Sequence, residues 1–167
     1  PPHLIEAISK AMRDGQTGYC SSEGTAEAID AVTREAQSKG IHNSQHVYIT
    51  TGASEAIELA LTALLDPGDE LLVPSPGYPL YTAILSKLSA KGIPYTLDEE
   101  NGWQPSVEEM ARLITPRTKG ISVINPNNPT GSIADTDTLD KIVALAKKHN
   151  LLLMSDEIYD KLTLDGS

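Results

Sequence analysis

The sequence predicts an α/β fold of three layers, a largely parallel, mixed sheet flanked by helices on both sides. Three observations predict it. Strand-like and helix-like segments alternate along most of the chain, which is how a sheet with crossover helices reads. Residues 120–124 and 151–155 are nearly continuous apolar runs, as expected of strands buried on both faces. The segments richest in Gly, Pro, Asn and Asp follow strands, the edge at which such sheets bind ligands.

Each element has its own signal. Residues 4–12 and 25–38 carry helix-like patterns, and residues 47–50 form the first predicted strand. Beyond Ser54, the apolar residues Ala56, Ile57, Ala60, Leu61 and Leu64 recur at helical spacing until Asp66-Pro67-Gly68-Asp69 stops the helix. Residues 70–73 are a strand, and the turn Pro74-Ser75-Pro76-Gly77-Tyr78-Pro79 opens a helix over residues 78–89. After a strand at 94–97, Ser106 and Glu109 have capping-box spacing and open a helix through Val107, Met110 and Leu113. Strand 120–124 follows. Leu139, Ile142, Val143 and Ala146 then form the stripe of a helix running from near Thr136 to near Asn150, ahead of strand 151–155.

Composition bounds the function. The chain has 167 residues, 40% hydrophobic and 22% charged, enough to bury a core of ordinary size. It has no apolar run long enough to span a bilayer and no secretory pattern at its start. The formal charge of -10 argues against nucleic acid or an anionic membrane as partner, since both reward clustered Lys and Arg. Cys20 is the only cysteine, so there is no internal disulfide, and a reducing cytoplasm suits the chain. His3, His42, His46 and His149 lack metal-ligand spacing. No metal site is expected, and no repeat or interdomain linker stands out.

Three segments carry chemistry. Thr51-Gly52-Ala53-Ser54 leads from a strand into a helix, where free backbone N–H groups and the helix dipole favour a phosphate; a plain helix cap would read the same. Asn125-Pro126-Asn127-Asn128-Pro129-Thr130-Gly131 has two X-Pro steps that extend the backbone and a Thr-Gly turn. It can present Asn128 as a fixed donor, or serve only as a strand-to-helix connection. Asp156, at the mouth of an apolar strand, is a costly place for a carboxylate unless a cation meets it. A protonated pyridine nitrogen would do so, as in pyridoxal phosphate enzymes whose ring acts as an electron sink, and Tyr159 can bond the ring's phenolic oxygen. The alternative for Asp156 is an N-cap of the next turn. Glu157 and Asp160 read as solvated or structural.

With Tyr78 and Tyr81, these segments resemble the class I/II aminotransferases, which are fold-type I pyridoxal phosphate enzymes. Four motifs in the right order carry the resemblance over nearly the whole chain. It implies pyridoxal 5'-phosphate as cofactor, with its phosphate held around Gly52, Ala53 and Ser54 and Tyr78 stacked on the ring. Asn128 and Tyr159 would bond the phenolic oxygen, and Asp156 would pair with the ring nitrogen. Tyr19 resembles the tyrosine that reaches the phosphate of a neighbouring subunit, so a homodimer is implied. The substrates implied are an amino acid of alanine, aspartate or aromatic type and a 2-oxo acid.

The family's Schiff-base lysine lies beyond the Asp-x-x-Tyr motif, and no matching segment occurs here. Lys161 follows Tyr159 too soon, and Lys141, Lys147 and Lys148 fall in the preceding helix. The substrate-clamping arginine comes later still in the family. The expectation is therefore a truncated large domain: residues 1–40 its N-terminal helical segment, and residues 41–167 its α/β cofactor-binding part, cut before the lysine and the small domain. The starting Pro1-Pro2-His3 and the ending Asp165-Gly166-Ser167 look like cut ends, and a chain of this kind is expected to be inactive alone. The alternatives are another reaction on the same scaffold, either a β-lyase or an aminocyclopropane carboxylate synthase, the sensor half of a transcription regulator, and a lysine-free binding module.

Overall fold

The computed structural model describes residues 1–163; the predicted chain end at Asp165-Gly166-Ser167 lies outside the described residues. The chain divides into two compact units, Pro1–Thr51 and Gly52–Ser167. Among the described residues no helix is long and apolar enough to cross a membrane.

The first unit holds α1 (Pro2–Arg13) and α2 (Ala26–Ser38). Thr25 caps α2 by accepting from the Ala28 N–H at 3.4 Å, and Lys10 and Arg13 sit in the last turn of α1, where the helix dipole favours cations. The strand predicted at 47–50 does not form. Those residues join no ladder among the described residues, and the Ile49 N–H instead donates to the Glu23 carbonyl at 2.8 Å. An extended segment becomes a strand only when a neighbour pairs with its backbone, and a β-favouring composition cannot supply that neighbour.

The second unit is a three-layer α/β/α sandwich. Its elements are α3 (Gly52–Leu64), β1 (Glu70–Ser75), α4 (Pro79–Lys87), β2 (Lys91–Asp98), β3 (Gln104–Pro105), α5 (Val107–Leu113), β4 (Thr118–Ile124), α6 (Thr136–His149) and β5 (Leu152–Asp156). The sheet order is β3-β2-β1-β4-β5. β1, β2, β4 and β5 run parallel, and β3 pairs antiparallel with β2, so the sheet is mixed. β3 was not predicted. Two residues carry no alternation to read, and Pro105 is tolerated because β3 is an edge strand.

Alternation along β1 divides the core. Leu71 and Val73 pack with Ile57, Leu61, Tyr81 and Leu85 of α3 and α4. Leu72 points the other way, into Tyr95, Met110, Ile121 and Ile142 beside α5 and α6. Leu61, Leu72, Met110 and Ile121 are fully buried, and each such side chain contributes roughly 1.5–3 kcal/mol by leaving water. β4 is buried almost throughout, as its apolar run predicts. β5 is not: Leu152 and Leu153 are 46% and 40% exposed. The reason is position, since among the described residues β5 lies at the edge of the sheet and pairs with β4 alone.

Two helix starts refine the sequence reading. Asp135 caps α6, its carboxylate accepting from the Thr138 N–H at 2.7 Å, and that bond holds the Asp135 carboxyl below the usual range. Ser106 caps α5 by accepting from the Glu109 N–H, but the reciprocal half of the predicted capping box is absent. The Glu109 carboxylate binds the Thr96 N–H at 2.7 Å and the Thr96 hydroxyl at 3.1 Å instead. β3 ends at Pro105, opposite Leu97 and one residue short of Thr96; the Ser106 N–H still donates to the Thr96 carbonyl at 3.3 Å, and the Thr96 N–H takes the carboxylate.

Candidate functional site

The chain leaves β1 toward β2 and β3 on one side, then returns to place β4 and β5 on the other. The connections after β1 and β4 therefore diverge at their carboxyl ends, which opens a crevice at the topological switch point. The first connection carries Tyr78 and the second carries Asn128. Asp156 ends β5, the strand beside β4.

Each side chain is positioned locally. Tyr78 is the half-exposed N-cap residue of α4, in extended conformation with Pro79 at the first helical position. Gly77, just before it, sits so close to the Pro74 carbonyl that a Cβ would lie 2.4 Å away, which defines a tight turn. The Asn128 loop begins with the Asn125 N–H donating to the Asp156 carbonyl at 2.9 Å, so loop and strand end are tied together. It closes with Gly131 at φ +72, a left-handed position that favours glycine. The Ser75–Pro76, Asn125–Pro126 and Asn128–Pro129 bonds are cis.

Four of the predicted residues meet. Tyr78, Asn128, Asp156 and Tyr159 line one cavity of about 120 Å³, together with Ile124 and Ile158. The Asn128 side-chain N–H faces the Tyr159 phenolic oxygen at 3.4 Å, so the two groups expected on a single ligand oxygen do converge. Asp156 accepts from the Tyr81 hydroxyl at 3.1 Å through Oδ2 and from the Ile158 N–H at 3.3 Å through Oδ1. The second bond is the turn-capping alternative, and it leaves the carboxylate facing the cavity. A wider cleft of about 500 Å³ continues past Asn128 and Tyr159 along Pro126, Pro129 and Leu162. Among the described residues, no lysine lines either space.

Gly52, Ala53 and Ser54 do not line this cavity, and no strand precedes them. They form the first turn of α3. That helix runs into β1 through a short turn, so it lies antiparallel to the strand. Thirteen helical residues span about 20 Å and the six of β1 about the same, which brings the α3 start level with the carboxyl edge. Gly52 has φ +77, and nothing lies within 4 Å of where its Cβ would be. Tyr19 lies in the first unit, fully exposed. Glu157 accepts from the Ser155 hydroxyl at 2.8 Å, a local structural bond.

Tyr81 has a role that sequence reading did not assign. It is 2% exposed, and burial pushes its phenol above the ordinary tyrosine range, with the Asp156 carboxylate raising it further. A buried phenol held protonated is a reliable donor to Asp156. The signal in the sequence was its spacing, one helical turn after Tyr78 on α4.

This arrangement defines a three-layer α/β domain with a candidate site built from strand-end loops at the switch point. The chain belongs to the class I and II aminotransferase family, whose model matches residues 1–167. The glutamate-pyruvate aminotransferase AlaA of Escherichia coli is 45% identical over the whole chain, which spans 42% of that protein. The alanine aminotransferase of Mycobacterium tuberculosis is 44% identical, again over the whole chain and 39% of the relative. The solved alanine aminotransferase of Pyrococcus furiosus superposes with a TM-score of 0.90 at 41% identity, over 96% of this chain and 42% of that one. The chain thus spans about two fifths of the length of these relatives.

Proposed function

We propose that this chain forms the pyridoxal 5'-phosphate cradle of an enzyme that transfers an amino group from an amino acid to a 2-oxo acid. The observation that carries the proposal is the convergence of Tyr78, Asn128, Asp156 and Tyr159 on one cavity. The donor set fits the cofactor. A carboxylate matches a protonated ring nitrogen, a phenol and an amide 3.4 Å apart match a phenolate oxygen, and Tyr78 offers a flat face for stacking. Open space at Gly52 and the start of α3 suits a phosphate. When bound, pyridoxal phosphate supplies an electron sink for the carbon bearing the amino group.

The chain's own residues bind and orient. Asp156 fixes the protonation state at the ring nitrogen, with Tyr81 holding the carboxylate in place. Asn128 and Tyr159 stabilise negative charge on the phenolic oxygen, and Tyr78 fixes the ring plane. The proton-shuttling lysine and the substrate-binding arginine belong, in this reading, to the part of the relatives' length that the chain does not span. The names of the relatives support alanine or glutamate as amino donor and pyruvate among the acceptors. The exposure of Tyr19 suits a residue that reaches into a neighbouring subunit's site, and so a homodimer, and a cytoplasmic setting fits the lone cysteine.

The test is titration of this chain with pyridoxal 5'-phosphate, followed by cofactor absorbance and Trp103 fluorescence. Saturable binding is expected, with Asp156→Ala weakening it roughly ten- to a hundredfold, the loss of one charge-assisted contact. Borohydride should leave no lysine adduct, and alanine with 2-oxoglutarate should not turn over. Equal affinity in Asp156→Ala would overturn the assignment of the cavity, and turnover would overturn the division of labour.

A further inference from the structure

We propose that Asn127, not Asn128 alone, sets the geometry of this cavity as a positioning residue; the proposal rests on the reading of the cavity given above. Asn127 is 5% exposed. Its side-chain N–H group donates to the Thr130 hydroxyl at 2.9 Å and to the Pro76 carbonyl at 3.4 Å. A peptide carbonyl only accepts, so the nitrogen of the amide must be the atom facing Pro76. The bond to Thr130 stays within the loop, and the bond to Pro76 joins segments 51 residues apart in sequence. One segment bears Asn128 and the other leads into Tyr78, and both of these residues line the cavity.

The rest of the loop is built around the same residue. The Asn127 N–H donates to the Ser132 carbonyl at 2.8 Å, and its carbonyl accepts from the Gly131 N–H at 2.8 Å. The Thr130 oxygen that Asn127 binds also takes the Ser132 N–H at 3.2 Å. Asn127 thus closes the loop on itself through backbone and side chain, and ties the closed loop to the Tyr78 turn. Asn128, next in the chain, has no freedom to shift without breaking these bonds. Burying an amide without a hydrogen bond is costly. The Asn127 side-chain N–H group meets that cost with its two bonds, one of them across the site, while its buried Oδ1 has no hydrogen-bond partner among the described residues.

The test is a double-mutant cycle on this chain. Asn127→Ala removes both side-chain bonds. Asn127→Asp keeps the shape and places an oxygen against the Pro76 carbonyl, so it carries the test if the alanine variant fails to fold. Pyridoxal 5'-phosphate affinity should fall about tenfold in either variant, yet less than about threefold when the substitution is made in Asn128→Ala, because the part of its effect that passes through Asn128 is then already lost and only the part through the Tyr78 turn remains. A purely structural role would give the same loss in both backgrounds and overturn the proposal, as would unchanged affinity. Amide exchange at Asn127, Gly131 and Ser132 in the ligand-free chain gives a second readout, expected to rise about tenfold in either variant. If the unsubstituted chain binds no pyridoxal phosphate, the reading of the cavity fails, and exchange then decides for Asn127: raised rates uphold its hold on the loop, and unchanged rates overturn it.

Discussion

The Tyr81 hydroxyl donates to the Asp156 carboxylate at 3.1 Å, joining helix α4 to the end of strand β5 across 75 residues of sequence. It is the contact through which the helix that begins beside Tyr78 supports a carboxylate lining the same cavity. Tyr81→Phe removes the hydroxyl and keeps the ring in the core. Asp156 is half-buried, so water offsets part of the loss, and about 1–2 kcal/mol of stability should go. In Asp156→Ala the same substitution should cost much less, and urea unfolding of the four proteins checks the difference.

The turn at Gly77 admits no side chain, because a Cβ would lie 2.4 Å from the Pro74 carbonyl oxygen. Backbone must move to relieve such a contact, and Gly77→Ala should lose about 1–3 kcal/mol. The shift falls on Tyr78, one residue on. Cofactor affinity should therefore drop as well, which calorimetric titration would measure.

Met110 on α5 is fully buried, whereas Leu59 on α3 is 55% exposed. Truncation to alanine should cost about 2–5 kcal/mol at Met110 and under about 0.5 kcal/mol at Leu59. Thermal unfolding of the two variants would separate them. Comparable losses would contradict the packing of α5 against the sheet.

Burial raises the phenols of both Tyr81 and Tyr95 above their ordinary range. The unfolded chain releases these protons near pH 10 while the folded chain keeps them, so the folded state binds more protons there. Stability should be intact below about pH 10 and fall above it, on the order of 1.4 kcal/mol per pH unit for each phenol. Tyr95→Phe, which also loses a 2.8 Å bond to the Ser122 carbonyl, should be less stable at neutral pH and show a shallower alkaline decline. Unfolding curves taken across this range would show it.

Much of the fold was legible because it depends on local pattern. The helix stripes of α3 and α6, the stop at Asp66-Pro67-Gly68-Asp69 and the strand runs in β1 and β4 all appear where periodicity and turn chemistry put them. The failures concern neighbours. Residues 47–50 have a strand's composition but join no ladder among the described residues, Leu152 and Leu153 have a buried strand's composition at an exposed edge, and Glu109 is drawn to a Thr96 N–H whose position beyond the end of β3 the sequence does not show. Composition records what a segment tolerates, and pairing depends on what lies beside it.

The site divides in the same way. The sequence by itself determined which groups are available: a carboxylate ending an apolar strand, an amide in a rigid Pro-rich loop, two tyrosines and a glycine at a helix start. Only the tertiary structure decided which of these face one another. It brought Tyr78, Asn128, Asp156 and Tyr159 to one cavity, left Gly52 outside that cavity at the same sheet edge, and gave Tyr81 and Asn127 their holds on Asp156 and the Asn128 loop. The physical reason is that residue chemistry is local, whereas the distance between two loops is set by strand order, and the order β2-β1-β4-β5 is fixed by packing among segments far apart in the chain.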